Sequence, residues 1–358
     1  VTIVDAVAEP LPRAVVDLAA IRHNVAHLAK LVAPAETMFA VKADAYGHGL
    51  LPVAEAGLAA GATSLAVLEI PAGLVLRGAG VTVPILAWLH GQATDWRAGI
   101  EADIELGISA VWQLEAIAAS GADRPAVVHL KVDTGLSRNG ATREDWPGLV
   151  SRALELERQG VIRVRAAWSH LADASIADDE AALAEFRDAV AEAESLGARF
   201  EALHLAASSA GIRMPEARFS FVRFGIAAYG YSPFDDVSGA ELGLIPAMRL
   251  EAPVTDVHVG GTTAARIGIG YADGVPTLGL PKTWVLLNGR RARVLEVAAD
   301  RTLVDVGEHR VELGDIAILF GPGTDGEPTA EQYADWAETI ADEMVTGVAS
   351  RVPRVYVN

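Results

Sequence analysis

The stretch TMFAVKADAYGHGLLPVAEAGLAAGATSLAVLE, residues 37 to 69, contains the repeating unit of the fold. An apolar run, TMFAVKA, leads into the turn-rich ADAYGHG; an Ala-rich segment follows, and a second apolar run, TSLAVLE, begins at Thr63. Strand, helix and strand in that order predict a βα unit with parallel strands. The alternation recurs. Further apolar runs are VPILAWL (83 to 89), ADIELGI (102 to 108), AVVHLKVD (126 to 133), VRAAWSH (164 to 170), EALHLAA (201 to 207) and FVRFGIAAYG (221 to 230), eight strands in all. Around them, segments such as DLAAIRHNVAHLAKLV and DDEAALAEFRDAVAEAESLGA repeat apolar residues at three and four positions, the helical period. Eight such units predict an α/β fold, a closed (β/α)8 TIM-type barrel over residues 14 to 245, with reactive side chains at the C-terminal ends of its strands.

From about Met248 the texture changes. LEAPVTDVHVG, TWVLLNGRRARVLEV and TLVDVGEHRVELGDIAILFG are rich in β-branched residues and turn signals. They predict a mainly antiparallel β-domain over 246 to 358, with hairpins at NG (288 and 289) and GEHR (307 to 310), and with residues 1 to 13 packing against it. A helical patch, TAEQYADWAETIADE (329 to 343), precedes a last strand in RVPRVYVN.

Composition narrows the partners. With 29 basic and 47 acidic residues the net charge is −18, which repels nucleic acid and anionic membranes, and no local basic patch offsets it. Small molecules or another protein chain are the expected partners. No apolar run reaches membrane-spanning length, and the N-terminus lacks a basic segment followed by an apolar core, so a cytoplasmic protein is expected. The absence of cysteine removes disulfides, thiolate metal sites and a thiol nucleophile.

Polar residues gather where the barrel predicts its active face: Lys42 and Tyr46 after the first strand, Lys131, Asp133 and Arg138 after the fifth, His170 after the sixth, Ser208 after the seventh and Arg223 in the eighth. Each alone reads as an ordinary strand-end charge or a hydrogen-bonded core histidine. Their convergence on one face is what points to a site. Lys42 ends a strand that reads as buried, and an ammonium there needs a partner or a task. A lysine with an accessible lone pair forms a Schiff base with a carbonyl, and pyridoxal 5'-phosphate is the cofactor that uses it. Its phosphate needs close backbone approach, which the small residues of SSAG (208 to 211) and FGIAAYG (224 to 230) allow. The nine histidines show no metal-ligand spacing.

Seven blocks in order, AVKADAYGHG, LKVDTGLSRNG, SHLADA, HLAASSAG, VRFGIAAYGYSP, IGIGYADG and TGVASRVPRVYV, make the chain resemble the alanine racemases from residue 14 to its end. The resemblance implies interconversion of L- and D-alanine, with pyridoxal phosphate on Lys42, which serves as one catalytic base while Tyr271 serves as the other. It implies that Arg223 faces the pyridine nitrogen, that His170 links Tyr271 to Arg223, and that Arg138, Ala299 and Asp300 bind substrate. Tyr46, Ser208, Gly225 and Ile226 then hold the phosphate, and Lys131 is a position carbamylated in some members. A head-to-tail homodimer is implied, with Tyr271 completing the partner's site. Two bases suit the chemistry, because racemisation removes a proton from one face of Cα and returns one to the other.

Three positions depart from the family pattern: Ala299 in AAD, Ser350 before RVPR, and VPT after GYADG. All remove bulk or charge near the expected entrance, which extends the expected substrates to serine. A decarboxylase of the same plan would carry an acidic residue in place of Arg223 and commonly uses a cysteine. A non-catalytic cofactor carrier would lack the β-domain and Tyr271.

Overall fold

The computed structural model describes residues 11–257, 263–280 and 282–358. Strand β1 (Arg13–Asp17) comes first, followed by the barrel strands β2 (Glu36–Ala40), β3 (Ser64–Val67), β4 (Ile85–Ala87), β5 (Glu105–Ile108), β6 (Ala126–Lys131), β7 (Ile162–Trp168), β8 (Ala202–His204) and β9 (Phe221–Phe224). These eight lie parallel in the order β8-β7-β6-β5-β4-β3-β2-β9. Backbone bonds from Ser220 N to Leu203 O (2.9 Å) and from Arg223 N to Ala206 O (3.1 Å) join β9 to β8 and complete the circle. Both faces of each strand are covered; β3 and β5 are buried at every residue. The first helix, Leu18–Val32, shows why the outer layer forms: Asp17 caps its first N–H groups, and Ile21, Val25, Leu28 and Val32 present one buried stripe to the barrel.

The second sheet holds β10 (Met248–Val257), β11 (Ala264–Ile267), β12 (Trp284–Leu287), β13 (Arg290–Val297), β14 (Thr302–Asp305), β15 (Ile316–Phe320) and β16 (Arg354–Val357). Its order is β11-β14-β13-β12-β15-β10-β1-β16, and a further pairing of β10 with β11 closes six of these strands into a small barrel. Pairing is antiparallel except between β1 and β16.

Several expectations need correction. Strand β1 belongs to the second sheet, so the barrel segment begun at residue 14 takes in residues that pair elsewhere; Ala14 and Val16 alternate into the core, and alternation does not say against which sheet. The rest of the expectation for residues 1 to 13, through residue 10, lies outside the described residues. The run 221 to 230 is a strand only to Phe224, after which a 3-10 turn covers Ile226–Tyr229. Asn288 and Gly289 do make the β12–β13 hairpin, but no hairpin forms at GEHR. Both edges of β14 are already taken by β11 and β13, so β15 crosses to lie between β12 and β10. The patch 329 to 343 is two helices, Ala330–Ala337 and Ala341–Thr346, broken where Glu338 takes φ 57°.

Candidate active site

Lys42 stands at the mouth of the barrel just after β2, and the backbone beyond it is unusual. Ala43, Asp44, Ala45 and Tyr46 have φ of 52°, 54°, 54° and 51°, a turn of left-handed helix without glycine. Such residues cost about 1–2 kcal/mol each, so the surroundings must hold the turn in place. Asp44 accepts from Leu50 N (2.8 Å), Arg354 donates to Gly47 O (2.8 Å), and the Tyr46 ring packs on Tyr229 with centroids 4.8 Å apart. The strand therefore ends abruptly, and Lys42 turns into a cavity of about 1570 Å³ that Tyr46, Lys131, Arg138, His170, Ser208, Arg223, Gly225 and Ile226 also line. That volume far exceeds a single small amino acid.

Lys42, Lys131, Arg138 and Arg223 are its cationic side chains, and carboxylates including Asp173, Asp235, Glu331 and Asp342 also line it. Burial pulls the Lys42 ammonium below its usual range; the Asp342 carboxylate opposes this, and Arg138 and Arg223 add to it. Lys131 falls to about 7 through burial and the same two arginines, with Nζ 4.5 Å over the Trp168 ring. Burial brings Arg223 down to about 9, which leaves it protonated at neutral pH. His170 is held down to about 2 by burial and by Arg223, Arg138 and the two lysines, so it is neutral. Arg223 Nη2 lies 3.0 Å from His170 Nδ1 and also donates to Ser169 O and Leu205 O, both at 2.9 Å. Because a guanidinium only donates, His170 Nδ1 accepts, and its ring proton resides on Nε2.

Two residues beyond Arg223, Gly225 N donates to Ser208 Oγ (3.2 Å), and a Cβ on Gly225 would fall 2.3 Å from Tyr46 Oη. The missing side chain brings a phenol, a hydroxyl and the start of the turn at Ile226 together, and the first N–H groups of such a turn have no partner within it. Arg138 is exposed on a loop that Asp133 fixes by accepting from Gly135 N and Ser137 N.

Tyr271, Ala299 and Asp300 are not brought to this cavity. They share one edge of the second sheet, where Tyr271 N and Ala272 N donate to Ala298 O and Ala299 O, each at 2.9 Å. Gly270 permits that approach, since its Cβ would lie 2.2 Å from Ala298 O. Tyr271 is 56% exposed and is not among the residues lining the Lys42 cavity.

Two features escaped the sequence reading. Asp342, on the helix Ala341–Thr346, lines the cavity and faces Lys42; it sits in a segment read only as a helical patch, and no local signal aims it at the barrel. Beneath Arg223 lie His204, His129 and Glu105. Here a signal existed, because His129 and Lys131 are two apart on one strand and share a face. Among the described residues, no group of three histidine, aspartate or glutamate side chains is placed to hold a metal.

The chain matches the family model for the alanine racemase N-terminal domain over residues 16–233 and that for the alanine racemase C-terminal domain over residues 255–356. It is 41% identical to an alanine racemase of Beutenbergia cavernae, with 96% of this chain and 97% of that one covered. For an alanine racemase of Streptomyces coelicolor the identity is 43%, with 97% and 96% covered. Among solved structures, the alanine racemase from D-cycloserine producing Streptomyces lavendulae superposes with a TM-score of 0.94 at 38% identity, 98% of each chain being covered.

Proposed function

From the premise that this chain belongs to the alanine racemase family and interconverts L- and D-alanine, we propose that Lys42 Nζ and the phenol of Tyr271 from a second copy are its two bases. They act on opposite faces of the substrate Cα, around pyridoxal 5'-phosphate held by the barrel. The observation that carries this reading is Lys42 itself: its ammonium is depressed by burial, and it faces a cavity whose other cations are already placed. When bound, pyridoxal phosphate supplies an aldehyde for an amine and a conjugated ring that delocalises the electron pair left at Cα. The donor set fits this group. Tyr46, Ser208 and the backbone N–H groups of Gly225 and Ile226 make a phosphate cradle, which a Cβ on Gly225 would fill. Arg223 would face the ring nitrogen as a donor that gives up its proton reluctantly, and so would hold the ring without protonating it.

Each remaining residue has a stated task. Lys42 Nζ, with its pKa lowered, takes and returns a proton on one face. Tyr271 does so on the other, and an ordinary phenol is a poor base unless its phenolate is favoured. His170 provides that bias: its Nδ1 is occupied by Arg223, so its Nε2–H is the donor presented to the phenol oxygen. Arg138 receives the substrate carboxylate, assisted by the backbone at Ala299 and Asp300, which arrives with Tyr271. Lys131, near 7, is half unprotonated at neutral pH, the form that takes up CO2; a carbamate there would be favoured by the charges of Arg223 and Arg138, which disfavour the ammonium.

The exposure of Tyr271 supports a head-to-tail homodimer, each copy completing the other's cavity. In this reading 14 to 245 binds the cofactor and 246 to 358 delivers Tyr271. No described helix is long and apolar enough to cross a membrane, and we place the enzyme in the cytoplasm. Borohydride reduction of the loaded protein, followed by peptide mapping, should find the cofactor fixed on Lys42; an adduct on any other lysine ends the assignment.

A further inference from the structure

The barrel interior beneath Arg223 carries a line of buried polar side chains, His204, His129 and Glu105, none of which lines the Lys42 cavity. Arg223 Nη1 lies 3.1 Å from His204 Nδ1, His204 Nε2 lies 2.9 Å from His129 Nδ1, and His129 Nε2 lies 2.8 Å from Glu105 Oε2. The other oxygen of Glu105 pairs with Arg165. Glu105 is the first residue of β5, so it stands at the end of the barrel opposite the mouth. The strands set this line: Trp168 is paired in register with both Lys131 and His204, and its ring stacks on His204 with centroids 5.3 Å apart.

The direction of every bond follows from its two ends. A guanidinium only donates and a carboxylate only accepts. Arg223 must therefore give a hydrogen to His204 Nδ1, which puts the His204 proton on Nε2. That proton points at His129 Nδ1, which puts the His129 proton on Nε2, aimed at Glu105. Reversing any one link sets donor against donor or lone pair against lone pair. Both imidazoles are fully buried, and burial disfavours their charged forms, so the chain is neutral between its two ends.

We propose that Glu105 is a positioning residue for Arg223, acting from the far end of the barrel through the tautomers of His129 and His204. The side chain of Arg223 donates to His204, to His170 and to two backbone carbonyls, none of them a carboxylate. Glu105 is the acceptor at the end of its line. With the line polarised toward Glu105, His204 Nδ1 is a fixed acceptor that holds one arm of the guanidinium and leaves Nη2 to His170. Without that acceptor, His129 can move its proton to Nδ1, which faces His204 Nε2, and His204 can then carry its own proton on Nδ1 and turn a donor against Arg223. The catalytic consequence rests on the reading that Arg223 faces the cofactor ring.

The test uses the full-length, cofactor-loaded protein with 15N in its histidine rings. In the wild type, His129 and His204 should each show a protonated Nε2 and a bare Nδ1. Glu105→Leu should shift His129 and His204 to mixed tautomers and lower kcat about tenfold with KM nearly unchanged, as expected for one misdirected hydrogen bond. His129→Leu keeps the Glu105–Arg165 pair and removes both bonds that His129 makes, to His204 and to Glu105, so it should change His204 in the same way even if Glu105→Leu fails to fold. A wild-type His204 protonated on Nδ1, or tautomers that ignore both substitutions, overturns the proposal. Tautomers that change while kcat does not would uphold the line and remove Arg223 from the ring.

Discussion

Lys42 and Tyr271 both stand on short, tightly specified turns, yet the two turns leave their side chains in opposite environments. The Lys42 turn is left-handed over four residues and is locked by Asp44, by the Tyr229 ring and by Arg354 from the C-terminus. Its side chain enters a cavity where burial already lowers its pKa. The Tyr271 turn is equally fixed: Asp273 accepts from Gly270 N at 2.9 Å and pairs with Arg351. Its side chain, however, leaves the molecule for solvent. In the proposed composite site, Lys42 would bring the half that is buried within the chain and Tyr271 the half with a fixed backbone and an exposed side chain. Rigidity on both sides is what a composite site needs, because parts supplied by two copies must meet without much reordering.

Removing the exposed half should produce the largest effect. Tyr271→Phe should lower racemisation about a thousandfold or more, since the second base is lost outright. Cofactor content should stay normal, and exchange of the Cα proton should survive in one enantiomer only. Full activity in this variant would mean that the exposed phenol has no catalytic part.

A change in the buried half should alter the course of the reaction as well as its rate. Arg223→Glu brings a proton to the ring nitrogen, which makes the ring a stronger electron sink and favours transamination over return of the proton. Racemisation should fall by about a hundredfold, on the scale of a lost active-site donor, with a higher share of transamination. Unchanged partitioning would mean that Arg223 does not face the ring.

A smaller effect tests the edge that Tyr271 shares with Ser350. Ala349 N donates to Asp273 O (3.0 Å), so Ser350 and Ala299 border the same turn, and both are short. We propose measurable turnover of serine beside alanine. Ser350→Tyr should cut kcat/KM for serine more than for alanine, by a factor on the order of ten, the worth of about one methylene of room. Equal losses, or no wild-type serine turnover, would mean that the wall is built otherwise.

The smallest effect is on stability. Lys131 titrates near 10.4 in an unfolded chain and near 7 in the fold. Between those values the unfolded chain holds the extra proton, so the folded state gains stability as pH rises from about 7 toward 10. Lys131→Met should flatten that rise and add about 1 kcal/mol at neutral pH, because a half-charged buried amine is replaced by an apolar chain of similar length. Denaturant melts at pH 7 and 9.5 measure this, and an unchanged slope would contradict the depressed lysine.

What the sequence made legible divides along the same line. The barrel was readable because buried parallel strands leave apolar runs, and Lys42, Lys131, His170 and Arg223 fall at or near their ends, so one rule about strand ends gathers them. Which sheet β1 joins was not readable, since Ala14 and Val16 alternate identically against either. The GEHR hairpin was a local turn signal overruled by the occupied edges of β14. Asp342 acts on the charge of Lys42 from about 300 residues away in sequence, an interaction that only the packing of the C-terminal region against the barrel creates. The place of Tyr271 in the reaction came from resemblance, and its exposure in a single chain explains why spacing alone would not have supplied it.

The most direct measurement mixes two inactive proteins. Lys42→Ala and Tyr271→Phe each spoil both sites of a homodimer, but a mixed dimer holds one site with an intact Lys42 from one subunit and an intact Tyr271 from the other. After unfolding and refolding together in equal amounts, half the dimers are mixed and each has one good site, so about a quarter of wild-type activity should return. Failure to recover activity in mixed dimers shown to have formed would contradict a site shared between two copies.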